Sequence, residues 1–160
     1  EVRMKLYCVR HGEACSSEEN PERPLTDRGC LDVERVARHL GQCQVPVSHI
    51  LHSRKCRAKE TAAIFASHLH AEQVVECSSI LDEDSPIDPL LDMIKTWTED
   101  TMLVGHLPFM AQLTSALVVG NAALFPIVNY PPGTVLCLDH YEDNRWIINW
   151  LLSPSIIPAE

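Results

Sequence analysis

Residues 6–13 read LYCVRHGE, an apolar run that stops at an arginine, a histidine and a glycine. The run from Lys5 to Val9 is typical of a short buried β-strand, and it places Arg10-His11-Gly12 at the carboxyl end of that strand. The polar, proline-containing segment from Cys15 to Pro24 is predicted to be a loop. The chain is therefore expected to begin with a strand that delivers a histidine to the edge of a sheet.

The rest of the chain alternates between helix and strand patterns, and Thr26 is positioned to cap the first helix. Asp88 and Pro89 are predicted as the N-cap and first residue of a short helix. Further strands are predicted at Val47–His52, Thr101–Gly105, Thr134–His140 and Arg145–Leu151, and further helices from about Lys55 to Leu69 and after Pro108. This alternation predicts an α/β fold of three layers, with helices on both faces of a mostly parallel central sheet.

Composition limits the classes of partner. A chain of 160 residues with 46% hydrophobic residues is expected to form one domain over residues 1–160. The formal net charge of -9 argues against nucleic acid or an anionic membrane as a partner, because both select for a basic face. The seven cysteines include no C-x-x-C pair, and no apolar run has the length of a signal peptide or a membrane span. We therefore expect a cytoplasmic protein with free thiols.

Polar side chains follow three of the predicted strands. His11 follows the first strand and His106 follows the strand at 101–105. Ser53, Arg54 and Arg57 follow the second strand. Ligands of such sheets bind beyond the carboxyl ends of the strands, so these side chains are expected to meet at one rim. Guanidinium groups match phosphate oxygens and a neutral imidazole is a nucleophile, so the set indicates phosphoryl transfer.

Four blocks of this sequence resemble the histidine phosphatase superfamily, and within it the short phosphohistidine phosphatases of the SixA type. The blocks are residues 6–13, Arg23-Pro24-Leu25-Thr26 with Gly29, Ser53 through Thr61, and Gly105-His106-Leu107-Pro108. They run in the order of the family and span most of the chain. The resemblance implies a phosphoglycerate mutase-like fold.

The resemblance also implies roles for individual residues. His11 would be the phosphorylated nucleophile, and Arg10 and Arg57 would clamp the phosphoryl oxygens. His106 would be the second histidine, which donates a hydrogen bond to an oxygen as charge develops. A backbone carbonyl that accepts from His11 Nδ1 would leave Nε2 free to attack.

Three other assignments are less direct. By resemblance Arg23 would close the pocket from the loop, although it could instead pair with Glu19 or Glu22 on the surface. Gly12 is expected to let the backbone turn tightly beside the nucleophile. Arg54 either supports the phosphate or is exposed to solvent.

The segment from Ser78 to Pro89 is short, whereas many members of the superfamily carry an insertion there with a glutamate that acts as general acid. By position Glu83 is the expected acid, with Asp82 and Asp84 as competitors. No metal or other cofactor is expected. His49 and His52 point to opposite faces of a strand, and the two histidines at 68 and 70 lie about 200° apart on a helix.

Three functions are compatible with these features. The first is a phosphatase that hydrolyses phosphohistidine on a protein partner, such as a histidine phosphotransfer domain or a phosphocarrier of the sugar phosphotransferase system. The second is a phosphatase of small phosphate esters. The third is a module that binds phosphoryl groups without turnover, which would not need a positioned nucleophile.

Overall fold

A six-stranded sheet lies at the centre of the protein, and the computed structural model describes residues 4–159 of it. The strands are β1 (Lys5–Arg10), β2 (His49–His52), β3 (Gln73–Glu76), β4 (Thr101–Gly105), β5 (Val135–Glu142) and β6 (Arg145–Leu152). The helices are α1 (Asp27–Gln42), α2 (Cys56–Leu69), α3 (Asp88–Ile94) and α4 (Phe109–Val119), with short 3-10 turns at Ala122–Leu124 and Pro154–Ile156.

The sheet has the order β3-β2-β4-β1-β5-β6. The first four strands of that order are parallel, whereas β5 is antiparallel to β1 and β6 is antiparallel to β5. The prediction of a mostly parallel sheet is confirmed, and the antiparallel part is formed by the strands predicted at Thr134–His140 and Arg145–Leu151. Glu142 pairs with Arg145, so the hairpin turns through Asp143 and Asn144.

Helices cover both faces of the sheet, and the alternation of side chains along the strands explains how. In β1, Tyr7 and Val9 point into a core formed with α1 and α2, while Leu6 and Cys8 point into a second core formed with α3 and α4. Successive side chains of a strand project to opposite faces, so an uninterrupted apolar strand fills both cores. The predicted three-layer α/β/α architecture is confirmed.

The first helix begins as predicted. The hydroxyl of Thr26 accepts a hydrogen bond from the backbone N–H of Gly29 at 2.9 Å. That bond satisfies one of the backbone donors that a helix leaves free at its start. The inner face of α1 is buried against the sheet and includes Val33, Val36, Ala37 and Leu40.

Two details differ from the sequence prediction. Asp88 is the first residue of α3 and Pro89 the second, with Ile87 before them, so the predicted start was wrong by one residue. The edge strand β3 was not predicted, and all four of its residues are exposed. A strand that faces solvent on both sides lacks the alternation by which strands are recognised.

The carboxyl ends of β1, β2 and β4 lie side by side and are tied together beyond the last residue of each strand. The backbone N–H of His11 donates to Gly105 O at 3.0 Å, and that of Ser53 donates to Val104 O at 3.1 Å. The first residues after three strands are thereby fixed against one another. Within residues 4–159 no helix is long and apolar enough to cross a membrane.

Candidate active site

His11 is buried immediately after β1. Its Nδ1 donates to Gly12 O at 2.7 Å, because a carbonyl oxygen can only accept. The hydrogen bond expected from the sequence is therefore present, and Nε2 carries the lone pair. Burial, reinforced by the nearby His106, Arg57 and Arg10, lowers the pKa of His11 to about 3. The imidazole is neutral at physiological pH, which is the form that acts as a nucleophile.

His106 follows β4 and is only 1% exposed. Its ring centroid lies 5.1 Å from that of His11, with the two rings tilted. Burial lowers the pKa of His106 to about 4, with further contributions from cations nearby, of which Arg57 is the largest. The strand ends thus bring together two neutral imidazoles.

Arg10 and Arg57 supply the positive charge of the site. Arg10 Nη1 donates to Tyr130 O at 2.8 Å, and Arg57 Nη2 donates to the Glu83 carboxylate at 3.0 Å. In each guanidinium the Nε atom is buried without a hydrogen-bond partner among the described residues. Burial lowers the pKa of both groups. Buried donors without partners are costly, so these two side chains favour an anion that can accept from them.

Arg23 and Glu83 lie at the mouth of the site, where they line a cavity of about 460 Å³ together with Arg57. Arg23 Nε donates to Cys15 O at 2.9 Å, and the backbone of Arg23 lies in the left-handed region with φ of 48°. That region is unfavourable for a residue with a side chain and is maintained here by contacts within the loop. Among residues 4–159, Arg23 forms no ion pair with the glutamates considered as surface partners.

Glu83, the acid expected by position, lies beside the guanidinium of Arg57, with 45% of its side chain exposed. Its competitor Asp82 instead contacts Arg54 at 3.5 Å. Arg54 is 57% exposed, which favours the solvent-exposed reading of that residue. Arg54 also lines the cavity at the mouth, and of the three acidic residues 82–84 Glu83 is the one that contacts Arg57.

The reason for a glycine at position 12 differs from the expectation. The backbone of Gly12 is not in the left-handed region that only glycine adopts easily. A Cβ atom at this position would lie 2.7 Å from Val33 Cγ2 and 3.3 Å from Leu25 Cδ2. What the structure shows at this position is a need for space, because α1 packs against the nucleophile loop where a Cβ atom would lie.

Sequence reasoning assigned no role to two hydroxyl residues and a tyrosine that support the site. The Thr61 hydroxyl accepts from Gly12 N at 3.0 Å and donates to Arg57 O at 2.8 Å, so it links the two parts of the pocket. Ser53 Oγ lies 2.7 Å from His106 Nε2. Thr61 and Ser53 fall inside a recognised block, whereas Tyr130, whose carbonyl holds Arg10, lies outside all four.

Within residues 4–159, no group of three or more histidine, cysteine or acidic side chains is placed to hold a metal ion. The two strand histidines have separate partners. His49 contacts Glu99 at 2.7 Å, and His52 Nδ1 donates to Ser53 O at 2.9 Å.

A buried pair of neutral imidazoles with two guanidiniums, at the carboxyl edge of a parallel sheet, is equipped to bind a phosphoryl group and to accept it on nitrogen. The fold and the site define a class of phosphoryl-transfer proteins. The structure brings together His11, His106, Arg10, Arg57, Gly12, Arg23 and Glu83, the seven residues expected from the sequence.

Comparison with known proteins identifies the family. The family model of the histidine phosphatase superfamily (branch 1) matches residues 6–84. Phosphohistidine phosphatase SixA of Escherichia coli strain K12 is 24% identical over 156 residues, which cover 94% of each chain. The mitochondrial serine/threonine-protein phosphatase Pgam5 of Caenorhabditis briggsae is 29% identical over 92 residues, which cover 58% of this chain and 31% of that protein.

The solved structure of the protein histidine phosphatase SixA complexed with tungstate superposes with a TM-score of 0.84 at 22% identity, covering 95% of this chain and 98% of that one. This likeness shows the fold. The chain belongs to the histidine phosphatase superfamily. Membership supports a phosphatase.

Proposed function

We propose that this protein hydrolyses phosphohistidine on a protein partner and that the phosphoryl group passes through His11. The observation that carries the proposal is the environment of His11, whose Nε2 holds a lone pair next to two guanidiniums with unpaired buried donors. The similarity to a phosphohistidine phosphatase over 94% of each chain supports the choice of substrate. The partner would be a histidine phosphotransfer domain or a phosphocarrier.

The reaction proceeds in two displacements. In the first, the lone pair of His11 Nε2 attacks phosphorus, and an N–P bond forms as the bond to the substrate nitrogen breaks. The substrate ring carries a proton on its other nitrogen, so it departs as a neutral imidazole that keeps the electron pair. In the second, a water oxygen attacks phosphorus, the N–P bond breaks and its electron pair returns to Nε2. The water loses a proton, and the product is inorganic phosphate.

The other site residues act on the phosphoryl oxygens. Arg10 and Arg57 bind and neutralise them, and His106 donates a hydrogen bond as negative charge develops. Arg23 reaches the group from the mouth. Gly12 accepts the hydrogen bond from His11 Nδ1, and its lack of a side chain lets the nucleophile loop pack closely against α1, so that His11 is held in place. No metal or cofactor enters these steps.

The substrate class follows from the leaving group. The conjugate acid of imidazole has a pKa of about 6.5, so an imidazole leaves with little protonation, whereas an alkoxide needs a positioned acid worth about 10²–10⁴ in rate. Glu83 Oε1 accepts a hydrogen bond from Arg57 and lies half exposed at the rim. The Glu83 carboxylate is engaged with Arg57, and a leaving imidazole does not require it, which favours phosphohistidine over alkyl phosphates.

Hydrolysis of small phosphate esters is the second candidate. The observation in its favour is that Glu83 stands beside Arg57, where a general acid for an ester would be needed. Glu83 is the residue assigned to that role if alkyl phosphates are turned over. A module that binds phosphoryl groups without turnover is disfavoured by the neutral nucleophile.

A phosphoenzyme experiment tests the proposal. A histidine-containing peptide phosphorylated with phosphoramidate is mixed with the protein and quenched on the millisecond scale. We expect a phosphoenzyme that is labile in acid and stable in base, and its absence in His11→Gln. His49→Gln, a histidine paired on the surface with Glu99, is the control and should label normally. Full turnover by His11→Gln would refute the mechanism.

A substrate panel then separates the two phosphatase candidates. We expect kcat/KM to be highest for the phosphohistidine peptide, lower for an aryl phosphate and lowest for alkyl phosphates. Hydrolysis of an alkyl phosphate at a rate that rivals the peptide would favour the small-ester function.

A further inference from the structure

Ser53 is the first residue after β2, and its side chain is fully buried. Its backbone N–H is fixed to Val104 O of the neighbouring strand, which leaves the side chain little freedom. Ser53 Oγ lies 2.7 Å from His106 Nε2, and it also accepts the backbone N–H of Lys55 at 3.3 Å. The hydroxyl is therefore the one hydrogen-bond partner of the His106 ring among the described residues.

The protonated nitrogen of the His106 ring follows from the role proposed for it. A neutral imidazole has a single N–H, and the other nitrogen is an acceptor. Nδ1 of His106 is enclosed by protein and has no hydrogen-bond partner within residues 4–159. Ser53 Oγ either donates to Nε2, which leaves a buried Nδ1–H unpaired, or accepts from Nε2–H, which leaves the Ser53 hydroxyl hydrogen unpaired. Only the second arrangement provides an Nε2–H for a phosphoryl oxygen.

We propose that Ser53 is a positioning residue that holds His106 in the Nε2–H tautomer. The proposal rests on the proposed function, in which His106 donates to a phosphoryl oxygen. With the proton on Nδ1, Nε2 would present a lone pair to that oxygen and repel it. Ser53 accepts the Nε2–H while the pocket is empty, so the ring is already a donor when the phosphoryl group arrives and needs no tautomer change.

Nitrogen-15 correlation spectra of the histidine rings at pH 7 test the tautomer without any turnover. The His106 signals are assigned by their absence in His106→Gln. We expect the wild type to show the Nε2–H form, and Ser53→Ala to show an increased fraction of the Nδ1–H form. An Nδ1–H tautomer in the wild type, or an unchanged Nε2–H tautomer in Ser53→Ala, would overturn the inference.

Kinetics on the phosphohistidine peptide give the second measurement. Loss of one neutral hydrogen bond predicts that Ser53→Ala lowers kcat about five- to tenfold with KM changed less than about twofold. Ser53→Cys, which keeps the volume but accepts more weakly, should lie between Ser53→Ala and the wild type. Ser115→Ala removes another fully buried hydroxyl, which donates to Asn121 O at 2.8 Å, and should leave kcat unchanged.

The decisive comparison uses His106→Gln as the background. That variant should lose about 10²–10³ in kcat, and Ser53→Ala should then cost nothing more, because Ser53 acts through His106. An equal loss in both backgrounds would mean that Ser53 contacts the substrate itself, and would refute the positioning role. Failure of the proposed function is seen separately, as the absence of the phosphoenzyme on His11.

Discussion

Replacing Glu83 by glutamine tests how the charge of this carboxylate affects the binding of anions at the mouth of the site. Glu83 Oε1 lies 3.0 Å from Arg57 Nη2, and in the proposed mechanism a phosphoryl group engages the same guanidinium. The carboxylate therefore competes with the substrate for the same donor. Glutamine keeps the size of the side chain and removes its charge, so we expect oxyanions to bind more tightly to Glu83→Gln.

The exposure of Glu83 sets the magnitude. Because 45% of the side chain is in solvent, the pair is screened, and such pairs contribute about 0.2–1 kcal/mol. Removal of the competition should therefore tighten tungstate binding by about two- to fivefold at most. On the phosphohistidine peptide, kcat/KM should stay within about threefold of the wild type, because the leaving imidazole needs little help from an acid. On any alkyl phosphate that is turned over, the loss should be much larger.

The assay is competitive inhibition by tungstate, with kcat/KM measured on the peptide and on one alkyl phosphate. Glu99→Gln is the control, since it removes an exposed carboxylate that pairs with His49 away from the pocket. Weaker tungstate binding by Glu83→Gln would show that the carboxylate does not compete for Arg57. A hundredfold loss of kcat/KM on the peptide would show that Glu83 is required as an acid even for a good leaving group.

Three further predictions concern stability, packing and metal dependence. Burial lowers the pKa of His11 to about 3 and that of His106 to about 4, so below pH 6.5 the unfolded chain binds more protons than the folded protein does. The free energy of unfolding measured in urea should therefore fall by about 2 kcal/mol per histidine between pH 6.5 and pH 5. His11→Gln should remove about half of that dependence. Gly12→Ala places a methyl group 2.7 Å from Val33 Cγ2 and should destabilise the fold by about 1–3 kcal/mol, whereas unchanged urea denaturation would mean that the loop relaxes freely. EDTA should leave turnover of the peptide unchanged, and a loss that a divalent ion restores would overturn the metal-free mechanism.

Much of the sheet was predictable because its strands end at chemically distinctive residues. The run from Lys5 to Val9 is apolar on both faces, and its end at Arg10-His11-Gly12 marks the rim of the sheet. The strand Thr101–Gly105 was predicted with its observed bounds for the same reason. The strand Gln73–Glu76 escaped prediction because it lies at the edge with every residue exposed, and therefore has no apolar pattern.

The positions of the site residues were predictable, but their hydrogen-bond partners were not. Side chains that follow adjacent parallel strands must lie near one another, which is why His11, Arg57 and His106 could be grouped from the sequence. The support from Tyr130 comes from a residue about 120 positions away from Arg10, and only the tertiary fold brings its carbonyl to that guanidinium. The glycine at position 12 was recognised, yet its reason depends on how closely Val33 approaches, which no local pattern encodes.

The charges of the site are ordered by depth, and this order bears on the proposed substrate. Arg57 is 7% exposed and Glu83 is 45% exposed, so the cation lies inside and its carboxylate partner lies at the rim. A phosphoryl dianion that enters exchanges places with Glu83, and Arg57 has an anionic partner both before and after binding. His11 is also buried, and because it is neutral it does not repel the cations around it. In the proposed mechanism the phosphoryl group therefore replaces a half-exposed carboxylate, whose ion pair with Arg57 is weak because it is screened by solvent.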